Sequence, residues 1–239
     1  MTRPRSRMES MEPYYAGGGI ELYHGSALDS PEKWTHATAL ITDPPYGISY
    51  GGRGAMRGDD STMLRDITLL TWLSANGLEK PVAVFGSWKV PRPPQSKNRL
   101  IWHKAGRMSE HLRMSWRPTD EEIYVWGDGW ARGTSAPGSV ITTHENRAPE
   151  TRRLGHPTPK PLDLLRTLMG RLSPVEGGHV IADPFAGSGS TLVAAAALGH
   201  RAVGVELDER YCEQIARRVE FFLANGEDAP RRVIMGDAS

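Results

Sequence analysis

Five consecutive residues, Asp43-Pro44-Pro45-Tyr46-Gly47, bring together an acid, two carbonyls fixed by proline rings and an aromatic side chain. They follow the apolar run Ala39-Leu40-Ile41, which reads as a buried strand. Two prolines cannot continue a sheet ladder, so the chain stops abruptly there. The group is then held at the carboxyl end of a strand, where open α/β sheets bind ligands. Asp-Pro-Pro alone reads equally well as a polar turn. Tyr46, Gly47 and a second motif argue for a site.

That second motif is Asp183-Pro184-Phe185-Ala186-Gly187-Ser188-Gly189-Ser190-Thr191, between an apolar strand, Val180 to Ala182, and a helical run, Leu192 to Leu198. Its glycines let a ligand approach the backbone, and the first N–H groups of the helix have no partner within it. The next strand, Arg201 to Val205, ends in Glu206, the place where an acid binds ribose hydroxyls in such folds. Leu192 occupies the third glycine position of the dinucleotide fingerprint, and no Gly-Lys-Ser/Thr follows, so neither that fingerprint nor a P-loop is complete. Strand, Asp-Pro-Phe, Gly-Ser-Gly, helix, strand and acid together point to an adenosine-bearing cofactor.

The elements that must position these groups follow from pattern. Ile20 to Tyr23, Thr38 to Thr42, Val82 to Phe85, Leu100 to Trp102 and Glu122 to Trp126 read as further strands. The Gly- and Arg-rich span from Ile48 to Asp60 reads as a mobile loop beside the site. Asp60 or Ser61 is placed to cap a helix with the inward stripe Met63, Ile67, Leu70 and Leu73, ending at Gly77. Thr158-Pro159-Lys160-Pro161 reads as the start of a helix with Leu162, Leu165, Leu168, Met169 and Leu172 on one face. From Asp208 a last helix carries Tyr211, Cys212, Ile215, Val219 and Phe222 inward. Strands alternating with helices predict an α/β fold with a largely parallel, doubly wound sheet.

The 239 residues suit one domain: a flexible tail at 1–17, a domain at 18–225 and an extension at 226–239. Within the domain, 18–126 is the catalytic half, 127–155 an irregular, substrate-facing excursion and 156–225 the cofactor half. No apolar run is long enough to span a bilayer, and the start lacks the apolar core of a secretory signal, which predicts a cytoplasmic location. The single cysteine, Cys212, excludes an internal disulfide, and no His or Cys spacing suggests a metal site. A net charge of +1 hides a basic stretch from Lys89 to Arg117, interleaved with Trp88, Trp102 and Trp116 and opposed only by Glu110. Local positive charge with aromatics is a nucleic-acid footprint; Lys104, Arg107 and Arg113, with Arg53 in the glycine-rich loop, are the candidate nucleic-acid contacts.

Asp43-Pro44-Pro45-Tyr46 together with Asp183-Pro184-Phe185-Ala186-Gly187-Ser188-Gly189 resembles the amino-group DNA methyltransferases that use S-adenosylmethionine. The order, catalytic motif first and cofactor motif last, resembles the permuted β group of that family. His156-Pro157-Thr158-Pro159-Lys160-Pro161 resembles the H-P-T-x-K-P element these enzymes carry before the cofactor loop. The resemblance spans roughly Ile20 to Leu223 and implies a Rossmann-like, circularly permuted methyltransferase sheet. It implies that Asp183 holds the cofactor's amino group, that Phe185, Gly187, Ser188, Gly189 and Thr191 line its methionine end, and that Glu206 takes the ribose hydroxyls. Thr158 and Lys160 would contact the methionine carboxylate. It implies double-stranded DNA as partner, a bacterial or phage host, and allows for a homodimer and a cognate restriction enzyme. Two departures matter. Ser26 stands where the family has an aspartate that contacts adenine, and 127–155 is short for a target-recognition region.

An exocyclic amine of adenine or cytosine is a poor nucleophile because its lone pair is delocalised into the ring. Asp43 and the Pro44 carbonyl, accepting both N–H bonds, would localise that pair and stabilise the charge that develops on attack. Tyr46 would stack on a base flipped from the duplex. Asp43 in the first motif position favours adenine N6 by the resemblance, with cytosine N4 as the alternative. An RNA base or a protein amide is a more distant substrate, because such relatives begin the motif with Asn. A catalytically silent DNA-binding relative is the reading of another class, and intact Asp43, Tyr46, Gly187 and Glu206 argue against it. Carbon-5 methylation needs an activated cysteine, whereas Cys212 sits in a helical stripe and reads as core. His156 reads as a turn or packing residue.

Overall fold

The computed structural model describes residues 12–45, 62–105, 116, 118–132, 137–144, 154–156 and 158–235. Among the described residues, nine strands form one sheet in the order β1-β2-β9-β8-β3-β4-β6-β5-β7. In chain order these are β1 (Tyr15–Gly17), β2 (Ile20–His24), β3 (Ala39–Thr42), β4 (Val82–Gly86), β5 (Asn98–Lys104), β6 (Asp120–Trp126), β7 (Val140–Thr143), β8 (Val180–Asp183) and β9 (Arg201–Glu206). The central five, β2, β9, β8, β3 and β4, run parallel. β6 pairs antiparallel with both β4 and β5. Every residue of β3 and β4 is buried, as expected of parallel strands covered on both faces.

Alternate side chains enter two separate cores. Ala39 and Ile41 of β3, Ile181 of β8 and Ala202 of β9 pack with α3 (Leu162–Met169), α4 (Ser190–Ala197) and α5 (Glu209–Asn225). Leu40, Ala182, Val203 and Val205 pack on the opposite face with α1 (Glu32–Thr35) and α2 (Met63–Asn76). The sheet is therefore doubly wound, as its alternating pattern predicts. Crossovers leave β8 toward β9 by one face and β3 toward β4 by the other, so the winding reverses between β8 and β3. Those two are neighbours, with Leu40 in register with Ala182. The strand beyond β9 is β2, from the opposite end of the sequence; this is the permuted connection.

Four expectations are corrected. The tail expected at 1–17 contributes β1 to the sheet, pairing Ala16 with Glu21. The excursion expected at 127–155 contains β7, which extends the β5 edge. The helix expected from Thr158 starts at Leu162, with Pro161 in extended conformation at its N-cap. The largest correction concerns α2. Its expected stripe faces outward, with Met63 64 % and Leu70 57 % exposed, while Arg65, Thr68, Leu69 and Trp72 are buried. Apolar residues lie on both faces of this helix, and the larger buried area of Trp72 decides the orientation. Its ring stacks on Trp34 at 6.2 Å and 5°. Arg65 tolerates burial because it bonds Asp66 and donates to the Pro91 carbonyl at 2.9 Å. Thr62 precedes α2 without a side-chain cap bond, and the capping candidates Asp60 and Ser61 lie outside the described residues.

A further helix, α6 (Arg231–Met235), follows α5. Among the described residues no helix is long and apolar enough to cross a membrane. The orientation of α2 is testable by urea unfolding. Leu69→Ala is expected to cost about 2–5 kcal/mol, and Leu70→Ala to stay within about 0.5 kcal/mol of the unaltered protein.

Candidate active site

The point where the winding reverses brings the two motifs together. Asp43 leaves the end of β3 and Asp183 ends β8. The hydroxyl of Thr42, the last residue of β3, donates to Asp183 Oδ1 at 2.8 Å. The Phe185 amide donates to the same oxygen at 3.2 Å. Asp183 is almost fully buried, and desolvation pushes its carboxyl up to about 6, partly offset by bonds from Thr191, Thr42 and the Phe185 amide.

The loop after β8 is shaped for close approach. Gly187 and Gly189 have φ of 53° and 73°, in the left-handed region that glycine adopts without strain. A Cβ at Gly187 would lie 3.0 Å from His156 Nε2, and one at Gly189 would press on Ile215 at 2.9 Å. The Ala186 amide donates to the Val205 carbonyl at 2.9 Å, fixing the loop on β9. Glu206, at the end of β9, accepts from the Gly187 amide at 2.8 Å and from the Asp208 amide at 2.9 Å, one bond to each oxygen. Each oxygen keeps a lone pair for a further donor. Burial raises the Glu206 carboxyl above its usual range, with the two amide bonds pulling the other way. The His24–Gly25–Ser26 turn adjoins it, because the Gly25 amide donates to the Glu206 carbonyl at 2.9 Å. Ser26 Oγ accepts from the Leu28 amide at 3.3 Å, closing its own turn.

Lys160 is buried and lies against the catalytic motif. Its ammonium pairs with Asp43 Oδ2, sits 3.7 Å from Glu121 Oε2 and lies 4.9 Å above the Phe85 ring. Glu121 in turn pairs with Lys104, whose ammonium is 4.6 Å from the Trp102 ring. The result is an alternating set, Asp43–Lys160–Glu121–Lys104, at the carboxyl end of the sheet. Lys160 thus reaches from the segment before α3 to the end of β3. Thr158 is half-buried, and its amide donates to His156 Nδ1 at 3.3 Å. His156 packs edge-on against Tyr211 at 5.0 Å. Burial, then Lys160 and Arg218, lower the imidazole to about 4, so it is neutral near pH 7, in keeping with a packing role.

The structure brings together Asp43, Pro44, Asp183, Phe185, Gly187, Ser188, Gly189, Thr191, Glu206, Thr158 and Lys160 at the ends of β3, β8 and β9 and in the segment leading to α3. It removes Lys104 from the candidate DNA contacts: the side chain is buried, because only a carboxylate such as Glu121 offsets the desolvation of an ammonium. Trp102 is also core, edge-on to Phe85. Lys89, Arg92, Lys97 and Arg99 are exposed, as are Trp88 at 74 % and Trp116 at 90 %. Tyr46, Arg53, Arg107 and Arg113 lie outside the described residues. Cys212 is core, its thiol pushed up to about 12 by burial and the neighbouring acids. Among the described residues no group of three or more His, Cys, Asp or Glu could hold a metal ion.

Two residues escaped the sequence reading. Glu121 was hidden in an alternating strand, where an acid reads as solvent-facing. Arg218 falls on the α5 stripe three residues after Ile215, and a cation on an apolar stripe was the signal for it.

The raised carboxyl of Asp183 gives a pH test. Between its unfolded value near 4 and its folded value of about 6 the native state binds more protons than the unfolded state, so this group lowers stability as pH rises through that window. Above about pH 6 the full burial penalty applies. Asp183→Asn lacks it, so the stability of the unaltered protein relative to the variant should fall from pH 4 to 6 and then level. Parallel urea curves at all pH values would contradict the assignment.

The comparisons with known proteins agree with this geometry. Residues 126–217 match the N6_N4_Mtase model, described as DNA methylase. The Type II methyltransferase M2.DpnII of Streptococcus pneumoniae is 40 % identical over 65 residues, covering 27 % of this chain and 24 % of that protein. The matched segment thus spans about a quarter of that relative's length. The crystal structure of the M1.HpyAVI–SAM complex superposes with a TM-score of 0.59 at 18 % identity, covering 82 % of this chain and 98 % of the other. The cytosine-N4-specific PvuII DNA methyltransferase superposes with a TM-score of 0.61 at 14 % identity, covering 95 % and 97 %. At those identities the likeness is one of fold; the matched family segment and the motifs carry the rest. Residues 126–217 are thus similar to the DNA methylase family, and the chain as a whole shares the fold of solved DNA methyltransferases.

Proposed function

We propose that this chain methylates an exocyclic amine of a base in double-stranded DNA, with adenine N6 as the target. The observation that carries the proposal is the junction of β3 and β8. There Asp43, at the end of one strand, adjoins an adenosine-type loop at the end of the other, with Thr42 bonded to Asp183. The residues fit the cofactor. The close approach of Gly187 to His156 leaves a cradle that a Cβ would fill, and Glu206 presents two oxygens to a pair of hydroxyls. Asp183, Phe185, Gly187, Ser188, Gly189, Thr191, Glu206 and Thr158 would hold it. When bound, S-adenosylmethionine supplies a sulfonium methyl group.

Asp43 and the Pro44 carbonyl then act on the amine. Each accepts one N–H bond, which localises the nitrogen lone pair and stabilises positive charge as it forms. Lys160 already sits on Asp43 Oδ2, which holds that carboxylate in place. The incoming amine replaces or shares this partner. Asp43 therefore orients the nucleophile, and in-line alignment supplies the remaining rate enhancement. The base must leave the stack to reach the end of β3, and Tyr46 would receive it. The exposed cations Lys89, Arg92, Lys97 and Arg99, with Arg53, Arg107 and Arg113, would hold the DNA backbone.

Aspartate at the first motif position supports adenine, whereas the printed specificity of the PvuII enzyme supports cytosine N4 as the second reading. The Type II designation of the pneumococcal relative supports a cognate restriction enzyme as partner, and the resemblance supports a homodimer. The test is incubation with radiolabelled S-adenosylmethionine and unmethylated duplex DNA, followed by nucleoside analysis. Labelled N6-methyladenine is expected. Labelled N4-methylcytosine would select the second reading, and unlabelled DNA with cofactor bound would overturn both.

A further inference from the structure

Arg218, on α5, is fully buried. Its guanidinium joins two parts of the fold. Nε and Nη2 donate to Oδ1 and Oδ2 of Asp228 at 2.7 and 2.8 Å, a two-pronged pair. Nη1 donates to the Ser188 carbonyl at 2.7 Å and to the Ser190 hydroxyl at 3.0 Å. Ser188 and Ser190 belong to the Gly-Ser-Gly loop and the first turn of α4, and their hydroxyls lie 3.0 Å apart. An arginine cannot escape burial by losing its proton, so its desolvation must be met by acceptors of fixed geometry. Asp228 supplies the carboxylate and the loop backbone supplies a carbonyl. Moving the loop therefore leaves a buried cation short of an acceptor.

A second contact carries the same segment to the residues before His156. Leu154, Ala229 and Ile234 form a small apolar core of their own, with Phe221 and Val233 against it. Gly155 has φ of 66°, and a Cβ there would lie 3.0 Å from Met235 Sδ. These residues immediately precede His156, whose ring lies against Gly187. Residues 228–235 thus brace the Gly-Ser-Gly loop through Arg218 and the His156 side of the pocket through Leu154 and Gly155.

We propose that Arg218 and Asp228, backed by residues 228–235, are positioning residues that hold the 185–191 loop in its cofactor-binding shape and so set the affinity for S-adenosylmethionine. Neither side chain need touch the cofactor. This rests on the cofactor assigned under the proposed function, and the experiment separates the two. Calorimetric titration of the full chain with S-adenosylmethionine and with S-adenosylhomocysteine is paired with steady-state kinetics on duplex DNA. Asp228→Asn and Arg218→Lys should weaken binding of both compounds by at least about tenfold and raise KM for S-adenosylmethionine in parallel. The kcat at saturating cofactor and the KM for DNA should stay within about twofold, a split that general loosening of the fold would not give. Affinity unchanged in Asp228→Asn, or a loss in kcat as large as that in affinity, overturns the proposal. In the unaltered protein, S-adenosylhomocysteine should slow amide exchange in 228–235 together with 185–191. Unchanged exchange in 228–235 overturns it too, and decides the matter if the variants do not fold. An unaltered protein that binds neither compound overturns the proposed function and this inference with it; binding that the variants leave intact overturns this inference alone.

Discussion

The site depends on the contact between the carboxyl ends of β3 and β8, made explicit by the Thr42 hydroxyl on Asp183 Oδ1. A parallel sheet wound from both faces leaves a crevice only where the winding reverses, and neighbouring strands then send their loops apart. Here one departing loop begins with Asp43 and the other with Asp183. The two acids differ in environment. Asp183 is desolvated, bonded by hydroxyl and amide donors, and raised toward neutrality; Asp43 is partly exposed and paired with the Lys160 ammonium. The first arrangement suits a fixed acceptor within a binding wall, the second a positioned carboxylate facing a reacting amine.

Lys160 ties the arrangement across the permutation. It comes from the segment before α3, late in the chain, yet it touches Asp43 after β3 and approaches Glu121 of β6. Two ammonium groups and two carboxylates alternate there, and alternation makes such a set tolerable in a low-dielectric setting. The set binds residues far apart in sequence to a common geometry.

Much of this was legible in the sequence. Strands β3, β4, β8 and β9 are continuous apolar runs because both of their faces are covered, and Asp-Pro turns mark the ends of β3 and β8. The glycine loop and Glu206 fall at the positions that their order along the chain predicts. The errors arose where a pattern is silent about partners. Periodicity counts apolar residues without weighing volume, so it chose the Met63–Ile67–Leu70 face of α2 over the one bearing Trp72. A basic run reads as a surface because nothing local reveals that Glu121, on another strand, draws Lys104 inward. Tyr15–Gly17 is too short to signal a strand, and only the exposed edge of β2 makes it one. Arg218 needed Asp228 and the Ser188 carbonyl, ten and thirty residues away, to explain its burial.

The central claim is that Asp43 acts on the amine while the cofactor is held by the other half of the site. The most direct measurement is single-turnover methyl transfer to duplex DNA by Asp43→Ala, alongside titration of that variant with S-adenosylhomocysteine. The account predicts transfer slower by at least about a hundredfold, with cofactor affinity within a few-fold of the unaltered protein. Transfer at an undiminished rate, or affinity lost as completely as transfer, would contradict it.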